Sequence, residues 1–276
     1  MMNMIRADLY RIFKGINIYL AIGIVILMAS ISVGMREVGH IGNASLDYQG
    51  DTPSLVRETT SDGLLPHTVR TEEQKKSFVT DILSSNINLY YPIIVIVFVV
   101  LMADFSNHTV KNTLSAAFSK NKYYLSKLAL NLILSTALIF FNSIFLYLLN
   151  FIVNGKAYTG TVGSVFATTL KQLPMLLGVA SLMTMLGFLT RKSAAFNAIV
   201  IPFQVLFQML INALYVITKW ELVGKFLYNY ELQSALSQLA FSTDWAYIMT
   251  CACIGLAEIA ISTAIGFQVF KKTEIK

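Results

Sequence analysis

DFSNHTVKNTLSAAFSKNKYYLSKL, residues 104–128, is the stretch whose reading decides the fold. It separates two long apolar runs, one ending at Leu101-Met102-Ala103 and the other beginning at Leu128. It sets Lys111, Lys120, Lys122 and Lys127 against a single acid, Asp104. A short basic break between apolar runs marks the cytoplasmic side of a membrane protein.

Composition points the same way. The 276 residues are 55% hydrophobic and 13% charged, with mean hydropathy +0.63; a soluble domain carries about 25% charged residues. Lipid is therefore the solvent for most of the chain. The net charge of +6 does not indicate nucleic acid, because the basic residues sit at the ends of apolar runs. Cys251 and Cys253 are two positions apart, so a helix points them about 200° apart, which argues against a mutual disulfide or a shared metal.

A spanning helix needs roughly 20 mostly apolar residues. About six such runs occur, near 16–34, 87–103, 128–153, 172–190, 194–217 and 245–270. The predicted fold is thus an all-α integral membrane protein, a single transmembrane domain over 1–276. Pro92 predicts a kink in the second span. Thr190-Arg191-Lys192-Ser193 predicts a tight hairpin between the fourth and fifth. One set of span ends carries twelve basic residues and Asp8, Asp104 and Glu274; the opposite set carries nine basic residues and eleven acids. Both termini are therefore expected in the cytoplasm. The basic start and first apolar run resemble a signal peptide, but the run is too long and five more follow, so an uncleaved first helix is expected.

Three pieces lie outside these runs. Residues 2–14 place Met2, Ile5, Leu9, Ile12 and Phe13 on one helical face, which predicts an amphipathic helix on the inner membrane surface. Residues 35–86 form a net acidic extracellular segment, with a helix expected after the capping-box pattern Thr71 to Gln74. Residues 218–244, rich in aromatics, predict one or two short re-entrant or interfacial helices on the outer side before the last span.

Several chemistries are missing from the sequence. There is no phosphate-binding G-x-x-x-x-G-K-[ST], no H-E-x-x-H and no other metal-ligand spacing. The three histidines are far apart and none lies in a span. Gly163-Ser164 therefore has no intramembrane base, and no catalytic residue is expected. Two intramembrane features remain. In the fifth span, Asn197, Gln204, Gln208 and Asn212 fall within about 80° of one another on a helix. Such a stripe either lines a translocation path at a dimer seam or forms hydrogen bonds inside one subunit. Glu258 is a lone acid in mid-span, expected to bond an Asn or Gln of the third or fifth span; a proton-coupling role is the alternative.

In topology over nearly the whole chain, and in wording over 104–128, the sequence resembles the permease subunits of type-2 ABC exporters. Among these it resembles the short peptide-export or bacteriocin-immunity permeases of Gram-positive bacteria. Asp104 matches the family's acid, Thr109 its Thr, Val110-Lys111-Asn112-Thr113-Leu114 its helical turn and Tyr124-Leu125-Ser126-Lys127 its close. His108 replaces a common Gly, and no Pro occurs near Ala116-Ala117-Phe118. The resemblance implies that 104–127 is a coupling loop gripped by a nucleotide-binding subunit, with Asp104, Thr109, Val110, Lys111, Asn112, Leu114 and Phe118 as coupling residues. It implies ATP and Mg on that partner, none on this chain, and a second permease copy, identical or paralogous. It also implies a bacterial cytoplasmic membrane and export of a peptide or other amphipathic substrate. A secondary carrier or channel, or a peptide-sensing scaffold, are the alternatives.

Overall fold

The structure, a computed structural model, describes residues 2–38, 46–47, 54–55, 83–84, 86–107, 109–110, 119–154, 160–218, 227 and 229–272. Apart from a two-residue antiparallel pairing of Leu46 with Leu55 and Asp47 with Ser54, regular structure among these residues is helical. The helices are α1 (Met2–Lys14), α2 (Ile16–Val38), α3 (86–106), α4 (Lys120–Asn154), α5 (Val162–Thr190), α6 (Ser193–Thr218), α7 (Leu232–Phe241) and α8 (Trp245–Lys272). Five of them, α3, α4, α5, α6 and α8, are long and apolar enough to cross a membrane. A sixth span is reached if the bent pair Ile5–Lys14 and Ile18–Val33 is counted as one.

Lipid offers no hydrogen bonds to the backbone, so helices dominate. Hydroxyls within them bond back to their own turn: Thr136 donates to the Leu132 carbonyl, Ser143 to that of Ile139 and Thr184 to that of Ala180. Thr161 caps α5 by accepting from the Ser164 amide. At its far end Arg191, at φ 54°, takes the left-handed conformation that closes the predicted hairpin. Pro92 lies in the first turn of the segment Tyr90–Val97, where its missing N–H is not needed. A π-helical turn follows at Phe98–Met102.

α5 is the central helix, packed on α8 most extensively and then on α4, α3, α7 and α6. The α5–α8 crossing is close because Gly255 of α8 meets the backbone of Pro174, and Gly178 of α5 meets the Glu258 side chain. Farther along α8, Gly266 accepts the Tyr124 ring of α4. Around it Tyr124, Phe188 and Phe270 form an aromatic cluster, with ring centroids 4.6 Å (Tyr124–Phe188) and 4.7 Å (Phe188–Phe270) apart. Gly23 of α2 is the opposite case, with nothing within 4 Å of an added Cβ. Gly23→Ala is expected to stabilise the protein by ~0.5–1 kcal/mol, read by thermal unfolding in detergent.

The basic span ends share one end of the bundle. Arg11 pairs with Asp104, Ser106 bonds Ser193 across 2.6 Å, and Lys120 donates to the Lys271 carbonyl at 3.3 Å. α1 bends away from α2 by 64°, but Ile5, Leu9 and Ile12 pack onto the protein core, while Phe13 and Tyr10 are 55% and 70% exposed. Of the apolar stripe, Ile12 is buried and Ile5 and Leu9 are half-buried against the core, whereas Phe13 is exposed. α7 supplies the short helix expected before the last span, and it packs against α5. The Thr71 helix and most of 35–86 lie outside the described residues.

Candidate functional site

At the basic end, five side chains from three helices converge. Asp8 and Arg11, one turn apart on α1, pair at 3.3 Å. Asp104, in the last turn of α3, pairs with Arg11 and with Lys127 of α4, the latter at 2.6 Å. Lys127 also reaches Asp8 at 2.7 Å, and the Tyr123 hydroxyl donates to Asp104 at 2.9 Å. The Lys127 and Asp104 side chains are only 1% and 4% exposed. Two cations and two carboxylates balance, which is what makes burial of these charges tolerable. Burial works to lower the pKa of the Arg11 guanidinium, but the adjacent Asp104 carboxylate more than offsets this and raises it. A raised basic group keeps its contribution to stability at every pH below its ordinary range, so Arg11 adds no pH sensitivity near neutrality.

This cluster joins the two stems of the 104–128 stretch to each other and to α1. Of the predicted coupling residues, Asp104 and Val110 are buried, and Thr109 donates to the Asp104 carbonyl at 3.2 Å. These three anchor the first stem. Lys111, Asn112, Leu114 and Phe118 lie outside the described residues. The pairing of Asp8 with Lys127 and of Arg11 with Asp104 was not foreseen. Its traces in the sequence are an acid within a basic N-terminal helix and a lysine at the start of an apolar run.

A second feature continues from this cluster into the bundle. Tyr124, Asn131, Ser135 and Asn142 follow one another along α4 at spacings of seven, four and seven, within about 40° on a helix. All four are buried. Asn131 donates to Thr184 of α5 at 2.9 Å, and Thr169 of α5 bonds Ser143 at 2.8 Å. Asn142 donates to Asn86 of α3 at 3.2 Å, and Asn86 donates to Gln172 of α5 at 2.6 Å. Gln172 in turn donates to the carbonyls of Leu83 and Leu236. The most continuous buried polar line is thus between α4 and α5. The same periodicity test that singled out the fifth span would have found it.

In the fifth-span stripe, Gln204 is 8% exposed and donates to Glu231 at 3.0 Å. Glu231 caps α7 by accepting from the Ser234 amide at 3.1 Å. Asn197 and Gln208 are half-buried, and the Asn212 side chain lies outside the described set. The one stripe residue with a resolved side-chain partner therefore makes an intramolecular bond. Gln204→Leu is expected to cost ~1–3 kcal/mol, because Glu231 loses a buried donor. Faster amide exchange across α7 would register the loss locally.

Glu258 sits at the α5–α8 crossing, its carboxylate against Gly178. Among the described residues it makes no side-chain bond to an Asn or Gln of the third or fifth span, contrary to expectation. Cys251 is buried and Cys253 exposed, on different faces of α8.

No protein-family model matches the chain, and comparison with curated proteins gives no match.

Proposed function

We propose that the chain is the membrane-spanning permease subunit of an ATP-driven exporter of the type-2 ABC kind. It lies in a bacterial cytoplasmic membrane with both termini inside, paired with a second permease copy, and moves a peptide or other amphipathic substrate. ATP and Mg are handled by a separate nucleotide-binding subunit.

The observation that carries this reading is the buried, charge-balanced cluster at the roots of the basic loop. A loop that receives force from a motor needs stiff stems. Asp104 on one stem and Lys127 on the other are held together at 2.6 Å, and Lys127 is held to Asp8 of α1 at 2.7 Å. The sequence carries no phosphate-binding loop of its own, so energy enters through a partner at this face.

The test is co-purification of the chain, drawn from its native membrane, with a nucleotide-binding subunit. Lys111→Ala combined with Phe118→Ala is expected to lower ATPase association and substrate export at least about tenfold, the effect of ~1.4 kcal/mol. Unchanged association and export would overturn the reading. Proton-driven uptake by the chain alone in liposomes would favour a secondary carrier.

A further inference from the structure

We infer that the middle of the α4–α5 seam holds a bound water molecule, ligated by Asn131 and Ser135. Both residues are 0% exposed. The Asn131 Oδ1 and the Ser135 hydroxyl have no hydrogen-bond partner among the described residues. They stand four positions apart on one helix, which puts their Cβ atoms roughly 6 Å apart on the same face. One water making two bonds of about 2.8 Å spans that separation.

Each group has a reason for being available. The Asn131 amide nitrogen is committed to Thr184 at 2.9 Å. The Thr184 hydroxyl already donates to the Ala180 carbonyl at 2.7 Å. Thr184 can therefore only accept from Asn131, which fixes the amide orientation and turns Oδ1 away from it. Ser135 is unusual in a different way. Thr136, Ser143, Thr169 and Thr184 all donate to the carbonyl one turn back; Ser135 does not. An acceptor and a hydroxyl, both fully buried and one turn apart, form the pair of contacts a buried water needs. A dry, apolar site would instead leave both groups at full desolvation cost.

Among the described residues, no charged side chain bonds to either residue. The ligand is thus a small neutral donor and acceptor, not an ion. The site lies between the Asp104–Lys127 cluster at one end of α4 and the Asn86–Asn142–Gln172 network toward the other. It makes the polar seam hydrated at its midpoint. This inference concerns the bundle itself and stands whether or not an ATPase binds.

The test uses the purified full-length chain in detergent, and the sign of the effect decides. With a bridging water, Ser135→Ala removes one ligand and lowers the folded-to-unfolded ratio about five- to tenfold. Asn131→Leu with Ser135→Ala removes both polar groups, and its loss is smaller than the sum of the two single losses. If Ser135→Ala is neutral or stabilising, the hydroxyl was merely unsatisfied and the inference is overturned. A density map that resolves ordered water gives an independent reading. A peak within about 3 Å of both groups supports the site. A Ser135 hydroxyl turned onto the Asn131 carbonyl with no such peak overturns it.

Discussion

Asp104→Ala is expected to destabilise the protein by ~3–5 kcal/mol, the cost of removing one partner from a buried ion pair. The reason is the cation left behind. Lys127 is 1% exposed, so its ammonium cannot recover hydration, and its remaining carboxylate, Asp8, is shared with Arg11. The substitution also removes the acceptor of the Tyr123 hydroxyl. Asp104→Asn is expected to behave nearly as badly, because the charge balance is lost even though the shape is kept. Asp104→Leu combined with Lys127→Met should recover most of the loss, since apolar replacements of a buried pair are often neutral. Asp8 and Arg11 then still neutralise each other. Chemical or thermal unfolding in detergent gives the three values. Equal losses in the single and double variants would mean that Lys127 reaches water after all.

Gly255→Ala is expected to be the most damaging small substitution in the helices, at roughly 3 kcal/mol. Its Cβ would lie 2.5 Å from the Pro174 carbonyl carbon and oxygen and 2.8 Å from the Met175 nitrogen. Those are backbone atoms and cannot rotate away, so α5 and α8 would have to separate along the bundle's largest helix contact. Gly178→Ala meets the end of the Glu258 side chain at 2.5 Å instead. That chain can move, so the cost is about 1 kcal/mol, within the lower range for overpacking. Adding Glu258→Ala should remove most of it. Finding Gly178→Ala as costly as Gly255→Ala would show that Glu258 is held rigidly at the crossing.

These two expectations rest on features that differ in how visible they were beforehand. The 104–128 break was legible as a boundary, because hydropathy and charge are local properties of the chain. Asp104 was legible as a residue that matters, but its role as a buried anchor was not. That depends on Arg11 and Lys127 arriving from positions 93 residues upstream and 23 residues downstream. The hairpin at Thr190–Ser193 was visible from its brevity. The α7 helix was visible as a short element, but its attachment through Gln204 and Gln172 was not. The stripe on the fifth span obeys the helical period as well as the one on α4 does. Period alone states which residues share a face, not which neighbour the face meets. For Gln204 that neighbour is Glu231 of the same chain.

The sequence by itself determined that this is a helical membrane protein, where its apolar runs break, and which ends are basic. Lipid forces each spanning segment to satisfy its own backbone, so that much is written in local composition. Only the tertiary structure decided that Ile5, Leu9 and Ile12 of α1 pack on the core and that Asp8, Arg11, Asp104 and Lys127 form one cluster. It also decided that the buried polar line runs between α4 and α5. Those outcomes depend on distances between segments far apart in the chain, set by glycine-sized gaps at helix crossings and by the requirement that every buried charge find its opposite.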